Sequence, residues 1–295
     1  MTKKLHNKYD LNPYFVTGLT EAEGSFSITK HKDTRAKFGM TIGLRFKITM
    51  LANETELLEK VNSFFGFGTL SINKDGTVDY IVRDLTNLYE IREHFQKYPL
   101  RGSKYLDFLS FTRAMNIIEQ KMHRNGEGFN LLKNLSEGMN SFRKDFSEFP
   151  PSHVLKENPD YIPINGHYIN GFIAGDGSLY LRTKSNFGSM GIQISQHVNN
   201  THFMREILDY FDPSLNIYKH GKDSIQITIG GKNLWKNTIS KHFLEYPLQG
   251  SKNVRLVKLQ EIAIYLESGE HLDKVGRAKV LKPEAKEHIL NIWHS

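Results

Sequence analysis

Polar and apolar residues alternate in two stretches near the start of the chain, residues 25–29 and 41–49, the period of a strand with one buried face. Ahead of them Asn12-Pro13 opens a helix, because Asn suits the N-cap and Pro the first helical position. Gly24 is expected to close that helix as a C-terminal glycine. Further on, residues 54–65 have helical periodicity and residues 78–82 read as a strand. The succession returns with strands at 178–182 and 189–195, a helix at 202–211 and a strand at 224–229. Each copy predicts a helix, two strands, a helix, one or two strands, then helices. The fold class is α+β, built twice.

Two repeated motifs support the duplication. His94-Phe95-Gln96-Lys97-Tyr98-Pro99-Leu100-Arg101-Gly102-Ser103-Lys104 returns from His242 to Lys252 with eight of eleven positions identical, at an offset of 148. Upstream, Gly18-Leu19-Thr20-Glu21-Ala22-Glu23-Gly24 is echoed by Gly171-Phe172-Ile173-Ala174-Gly175-Asp176-Gly177, at an offset of 153. A period of domain length excludes a solenoid of short repeats. Residues 149–152 and 157–163 are proline-rich and cannot lie inside a helix or central strand. The expected division is residues 1–149, a linker at 150–166, and residues 167–295.

Composition narrows the chemistry. The chain has 295 residues and no cysteine, which excludes disulfides, thiol catalysis and cysteine-held zinc or iron–sulfur centres. No apolar run approaches a membrane span, and no apolar stretch follows the basic residues at the start, so a secretory signal is not expected. Lys and Arg number 39 against 32 Asp and Glu, a net charge of +7 that both halves share. That balance suits a polyanionic partner without establishing one.

Gly18 and Ala22 lie on one face of the first helix, and Gly171 and Gly175 on the corresponding face of its copy. Such small faces pack either on each other or on the helices' own sheets. Glu23 and Asp176 end these helices, where the partial negative charge of a helix C-terminus disfavours an anion. A hard divalent cation such as Mg²⁺ would compensate both, accepting carboxylate, carbonyl and water oxygens. Between Glu23 and Glu54 the only acid is Asp33, and between Asp176 and Glu206 there is none. Strand parity puts Ser25, Ser27, Thr29 and His31 on one polar face, with Thr41, Gly43, Arg45 and Lys47 on the matching face. Arg35 and Lys37 stand between the two strands. In the second copy the faces are Ser178, Tyr180, Arg182, Lys184 and then Ser189, Gly191, Gln193, Ser195. An acid-poor polar sheet of this kind is either a solvated surface or a face that enters the major groove of DNA. Lys104 and Lys252 follow identical Gly-Ser turns and are either loop lysines or charges for a phosphate. His94 and His242 read as capping or packing groups, and each Tyr-Pro as a structural turn.

The two motifs ending in Glu23-Gly24 and Asp176-Gly177 resemble those of a LAGLIDADG homing endonuclease of the monomeric double-motif type. The resemblance extends over nearly the whole chain through the strands and the Tyr-Pro-Leu…Lys segments. It implies two αββαββα halves, motif helices at their interface (Gly18, Ala22, Gly171, Gly175), and two antiparallel sheets forming a DNA-binding saddle. Glu23 and Asp176 match its metal-binding acids, and the carbonyls of Ala22 and Gly175 match supplementary ligands. Lys47 and Gln193 match positions that order water, and Lys104 and Lys252 the basic residues near the scissile phosphates. The implied activity is metal-dependent cutting of both strands at a long asymmetric site with short 3′ overhangs, as in homing of a mobile intron. Mg²⁺ is the implied cofactor, Mn²⁺ an expected substitute, and Ca²⁺ is expected to support binding without cleavage. The resemblance also admits an RNA-binding intron maturase or a catalytically silent DNA-binding module. It further implies a monomer with no membrane partner and a setting in a mitochondrion or other organelle. Thr20 and Glu21 make the first motif more polar than the family pattern, and Ala174 replaces the acid usual at its position.

Overall fold

The first helix, α1 (Pro13–Glu23), is capped by Asn12, whose side chain accepts the Tyr14 amide at 2.9 Å, as the Asn-Pro pair predicts. Its end differs from expectation. Gly24 is extended (φ −80°, ψ 159°) and starts β1 (Gly24–Lys32) without a left-handed cap. Glycine is needed there for space, since a Cβ would collide with the Thr20 side chain and carbonyl. The computed structural model describes residues 11–183, 187–275 and 278–295.

From β1 the chain continues through β2 (Met40–Leu51), α2 (Thr55–Phe65), β3 (Thr69–Ile72), β4 (Thr77–Val82), α3 (Leu85–Lys97), α4 (Lys104–Glu119) and α5 (Gly126–Glu137). The strands form an antiparallel sheet in the order β1-β2-β4-β3. The succession then repeats as α6 (Gly166–Asp176), β5 (Gly177–Leu181), β6 (Met190–His197), α7 (Thr201–Phe211), β7 (Ile217–Lys219) and β8 (Ser224–Gly230). These strands form a second antiparallel sheet of the same order, β5-β6-β8-β7. After it come α8 (Lys232–Leu234), a π turn (Trp235–Ile239), α9 (Ser240–Glu245) and α10 (Lys252–Ser268). A hairpin of β9 (Leu272–Val275) and β10 (Ala278–Leu281) and a last helix, α11 (Pro283–His294), complete the chain. The α+β architecture built twice is therefore as the alternation predicts. No helix among the described residues is long and apolar enough to cross a membrane.

The chain divides into two compact units, Met1–Gly175 and Asp176–Ser295. In the first, Phe26 and Ile28 of β1 and Leu44, Phe46 and Ile48 of β2 point inward and are buried. Phe26 lies within 5.5 Å, centroid to centroid, of Phe46, Phe95, Phe108 and Phe111, so this core is aromatic. The second core is aliphatic, from Leu179, Ile192, Ile194, Ile225, Ile227 and Ile229 under Phe203 and Ile207.

Helix α6 belongs to the first unit up to Gly175 because it lies directly on α1. A Cβ at Gly18 would meet the Tyr168 carbonyl, and one at Gly171 would meet the Phe15 carbonyl. One at Gly175 would strike the Ala22 methyl. The alternative in which each small face packs only on its own sheet is thereby overturned: backbone meets backbone at both glycines, an approach that any side chain would block.

Candidate functional site

Glu23 is the last residue of α1 and half buried. Its side chain lies across Gly175, where an added Cβ would stand 2.9 Å from Glu23 Cγ and 3.4 Å from Oε1. Lys104, the first residue of α4, reaches the same helix end. Its Nζ donates to the Ala22 carbonyl at 3.2 Å and the Gly24 carbonyl at 2.5 Å. An ammonium on these terminal carbonyls offsets the negative end of the helix dipole beside Glu23. The loop-lysine alternative for Lys104 therefore fails in this unit.

Glu21 explains the polarity of the first motif. Its Oε2 is buried and accepts the backbone N–H groups of Arg101 and Gly102 at 2.9 and 3.0 Å and the Tyr168 hydroxyl at 2.7 Å. A carboxylate so satisfied tolerates burial. Burial, reinforced by the Glu21 charge, pushes the Tyr168 phenol well above its ordinary pKa. Arg101 is also buried and donates to the Ile162 carbonyl at 2.6 Å.

The register of β1 against β2 puts the expected polar residues opposite one another: Ser25 with Lys47, Ser27 with Arg45, Thr29 with Gly43, and His31 with Thr41. The expectation that this face is poor in acids needs correction. β4 pairs with β2 and brings Asp79 opposite Thr49, from outside the window of sequence in which acids are scarce. Asp79 Oδ1 accepts from Thr49 Oγ1 at 2.6 Å and pairs with Lys47 Nζ at 3.2 Å. Burial alone would raise the Asp79 pKa, but hydrogen bonds from Thr49, Asn73 and Lys47, with the Lys47 charge, hold it below the ordinary carboxylate value. Arg35 and Lys37 lie in the exposed connection between the strands. Arg35 pairs with Asp33 at 3.0 Å, and Lys37 donates to the Arg124 carbonyl at 3.2 Å, so the two are not on the strand face itself.

In the second unit Asp176 ends α6, and its Oδ2 accepts from Gln196 Nε2 at 2.6 Å. Gln196 Oε1 in turn accepts from Asn200 Nδ2 at 2.8 Å. Gln196 lies on the core-facing parity of β6 with Ile192 and Ile194, so a search of the polar face misses it. Its amide among aliphatic residues is the available signal. Ser178 stands opposite Gln193 as Ser25 stands opposite Lys47, so Lys47 and Gln193 occupy equivalent register positions. Tyr180 faces Gly191, and the Arg182 amide donates to the Ser189 carbonyl at 2.7 Å. Ser195 Oγ accepts from Gln226 Nε2 at 3.0 Å, the counterpart of the Thr49–Asp79 pair. Lys252 begins α10, which packs on β5. Lys184 lies outside the described residues.

The repeated histidines are packing groups. His94 Nε2 is 3.0 Å from Thr17 Oγ1 inside a cage of Phe64, Phe65, Phe95 and Tyr98, and burial pushes its pKa down to about 3. His242 Nδ1 is 3.0 Å from the Tyr210 hydroxyl.

Among the described residues no three His, Cys, Asp or Glu side chains gather into a metal-binding group. Glu23 instead ends α1 beside the Ala22 carbonyl, from which the Lys104 ammonium would withdraw to admit a cation, and Asp176 ends α6. That donor set fits a hard cation such as Mg²⁺, which keeps several waters and accepts substrate phosphate oxygens.

Two copies of one element order, each leading with a helix that ends in an acid and is followed by a sheet of the same strand order, define a chain built twice from one pattern. The LAGLIDADG endonuclease family model matches residues 16–115 and 169–263, and the chain belongs to that family. It is similar to probable intron-encoded endonuclease 2 of Neurospora crassa, 27% identical over 289 residues, covering 92% of this chain and 64% of that protein. Probable intron-encoded endonuclease 3 of the same organism is 26% identical over 257 residues, covering 82% and 48%. The chain thus spans about half to two thirds of the length of these relatives. Among solved structures, the LAGLIDADG meganuclease I-CpaMI bound to uncleaved DNA is 25% identical, with a TM-score of 0.79 over 97% of this chain and 99% of that one. I-SmaMI bound to uncleaved DNA target in the presence of calcium ions shares the fold at a TM-score of 0.81 and 24% identity, over 97% and 98% of the two chains.

Proposed function

We propose that this chain is a sequence-specific double-strand DNA endonuclease acting as a monomer on a long asymmetric site and leaving short 3′ overhangs. The observation that carries the reading is the Glu23–Lys104 arrangement: an acid and an ammonium at one helix end, at the head of a polar strand. Asp176, Gly177 and Lys252 repeat it in sequence and element order. The halves are residues 1–149 and 167–295, joined by residues 150–166.

Glu23 and Asp176, with the carbonyls of Ala22 and Gly175, would hold divalent cations. Bound Mg²⁺ supplies charge neutralisation at the phosphate and stabilises the leaving 3′ oxygen. Lys104 and Lys252 present positive charge to the scissile phosphates. Lys47, steadied by Asp79, and Gln193 orient water from the sheet side. Ser25, Ser27, Thr29, His31, Thr41 and Arg45 and their counterparts Ser178, Tyr180, Arg182, Ser189 and Ser195 face the bases and backbone, flanked by Arg35 and Lys37. The relatives named as intron-encoded endonucleases support a role in homing, and a similar protein in ND4 intron 1 of Podospora anserina supports an organellar setting.

The test is selection of the purified protein on a randomised duplex library in Ca²⁺, followed by transfer to Mg²⁺ or Mn²⁺. One asymmetric site cut on both strands by wild type and spared by Glu23→Gln, with affinity in Ca²⁺ retained, is the expected result. Enrichment without cutting refutes the nuclease reading and directs the next assay to intron RNA.

A further inference from the structure

Glu21 ties the motif helix to the segment that carries Lys104, and the tie runs in both directions. The Glu21 carboxylate fixes the backbone N–H groups of Arg101 and Gly102, two and three residues before Lys104. The Lys104 ammonium returns to α1 at the Ala22 and Gly24 carbonyls. Loop and helix end are thereby clamped on either side of Glu23. The third bond to Glu21, from Tyr168, anchors the same carboxylate to α6. The equivalent position in the second motif is Ala174, a buried methyl that cannot accept a hydrogen bond.

We infer that Glu21 is a positioning residue that sets Lys104 beside Glu23, and that this device serves one of the two half-sites only. The inference rests on the endonuclease reading above. A lysine acts best on a phosphate when its charge is held within about 0.5 Å of its place, and a misplacement of about 1 Å can cost about a hundredfold in rate. A buried carboxylate bonded to two consecutive amides supplies that precision, because neither amide can turn away without leaving Glu21 Oε2 undersatisfied. Loss of the clamp should therefore slow the cut that depends on Lys104 and leave the other cut alone.

The experiment follows each strand separately on a doubly labelled duplex carrying the selected site, using wild type, Glu21→Gln, Tyr168→Phe, Lys104→Met and the double variant Glu21→Gln/Lys104→Met. The strand slowed by Lys104→Met is the Lys104-dependent strand. Glu21→Gln is expected to slow that strand about tenfold and the other by less than about twofold, so that nicked product accumulates. Tyr168→Phe, which keeps the carboxylate and its two amide bonds but removes the hydroxyl that also accepts from the Arg101 amide at 3.1 Å, should have a smaller effect on the same strand. The double variant should be no slower there than Lys104→Met. Melting temperature and affinity in Ca²⁺ are recorded for every variant. Equal slowing of both strands with a lowered melting temperature would overturn the positioning role in favour of a purely structural one. Wild-type rates on both strands in Glu21→Gln would overturn it outright. A wild type that cuts neither strand refutes the endonuclease reading, and this inference with it.

Discussion

Replacing Gly18 by Ala tests the close approach of α1 and α6. In an open helix the change is favourable by about 1 kcal/mol, because alanine loses less backbone freedom. Here the added methyl would enter the space held by the Tyr168 carbonyl and the Phe172 amide, and neither backbone group can rotate aside. Overpacking costs about 1–3 kcal/mol where side chains can yield, and more where they cannot. Retreat of α1 would also pull Glu21 from its three hydrogen bonds, each worth about 1 kcal/mol. The expected net loss is about 3–5 kcal/mol. At about 2–4 °C per kcal/mol for a unit of this size, the melting temperature should fall by about 6–20 °C. Gly126→Ala is the matched control: the same methyl is added at the first position of α5, with nothing within 4 Å. It should leave stability unchanged or raise it by up to about 1 kcal/mol. Thermal and urea unfolding measure both. A Gly18→Ala protein as stable as the Gly126→Ala control would show that the helices separate freely, and would refute the account of α1–α6 packing.

Stability should depend on pH through His94, whose pKa is lowered to about 3 by burial while the unfolded value stays near 6.5. The folded state then binds fewer protons, so this contribution is complete above about pH 6.5 and is lost as pH falls toward 3. At pH 5 the loss from this one group is about 2 kcal/mol. His153, also lowered by burial, acts in the same direction, so the readout is the difference between wild type and His94→Gln in urea melts across the series. An identical slope in the two proteins would refute the assignment. Asp79→Asn removes the acid beside Lys47 and should raise affinity for the selected duplex severalfold at low salt, measured by anisotropy in Ca²⁺; unchanged affinity would take Asp79 off the binding face. Several Lys and Arg contacts to phosphate predict a steep fall in affinity between low and moderate salt, and a flat dependence would argue against the sheets as the DNA surface.

Much of this was legible in the sequence because it rests on local rules. Asn12-Pro13 marks the start of α1, and the parity of β1 and β2 puts Ser25, Ser27, Thr29 and His31 on one face with Thr41, Gly43, Arg45 and Lys47, whereas which residue stands opposite which is set by the register. The short strands β3 and β7 have too few residues for a period to register, so the pattern left one or two strands at each place. Asp79 and Gln196 could not be assigned because their roles depend on partners in other strands or at a helix end. The role of Glu21 was hidden for the same reason: in sequence it is only an acid of the first motif, and the amides that it holds lie about eighty residues away. The small residues could be listed as a face, but only the backbone approach at Gly18 and Gly171 decides what they pack against.

That approach has a consequence for building hybrids of such proteins. An exchange of halves at the proline-rich segment would join an α1 from one parent to an α6 from the other. The joint that must fit is therefore remote from the splice, at Gly18, Ala22, Gly171 and Gly175. Parents that agree at these four positions should give foldable chimaeras however dissimilar their linkers, whereas parents that agree only around the splice should not.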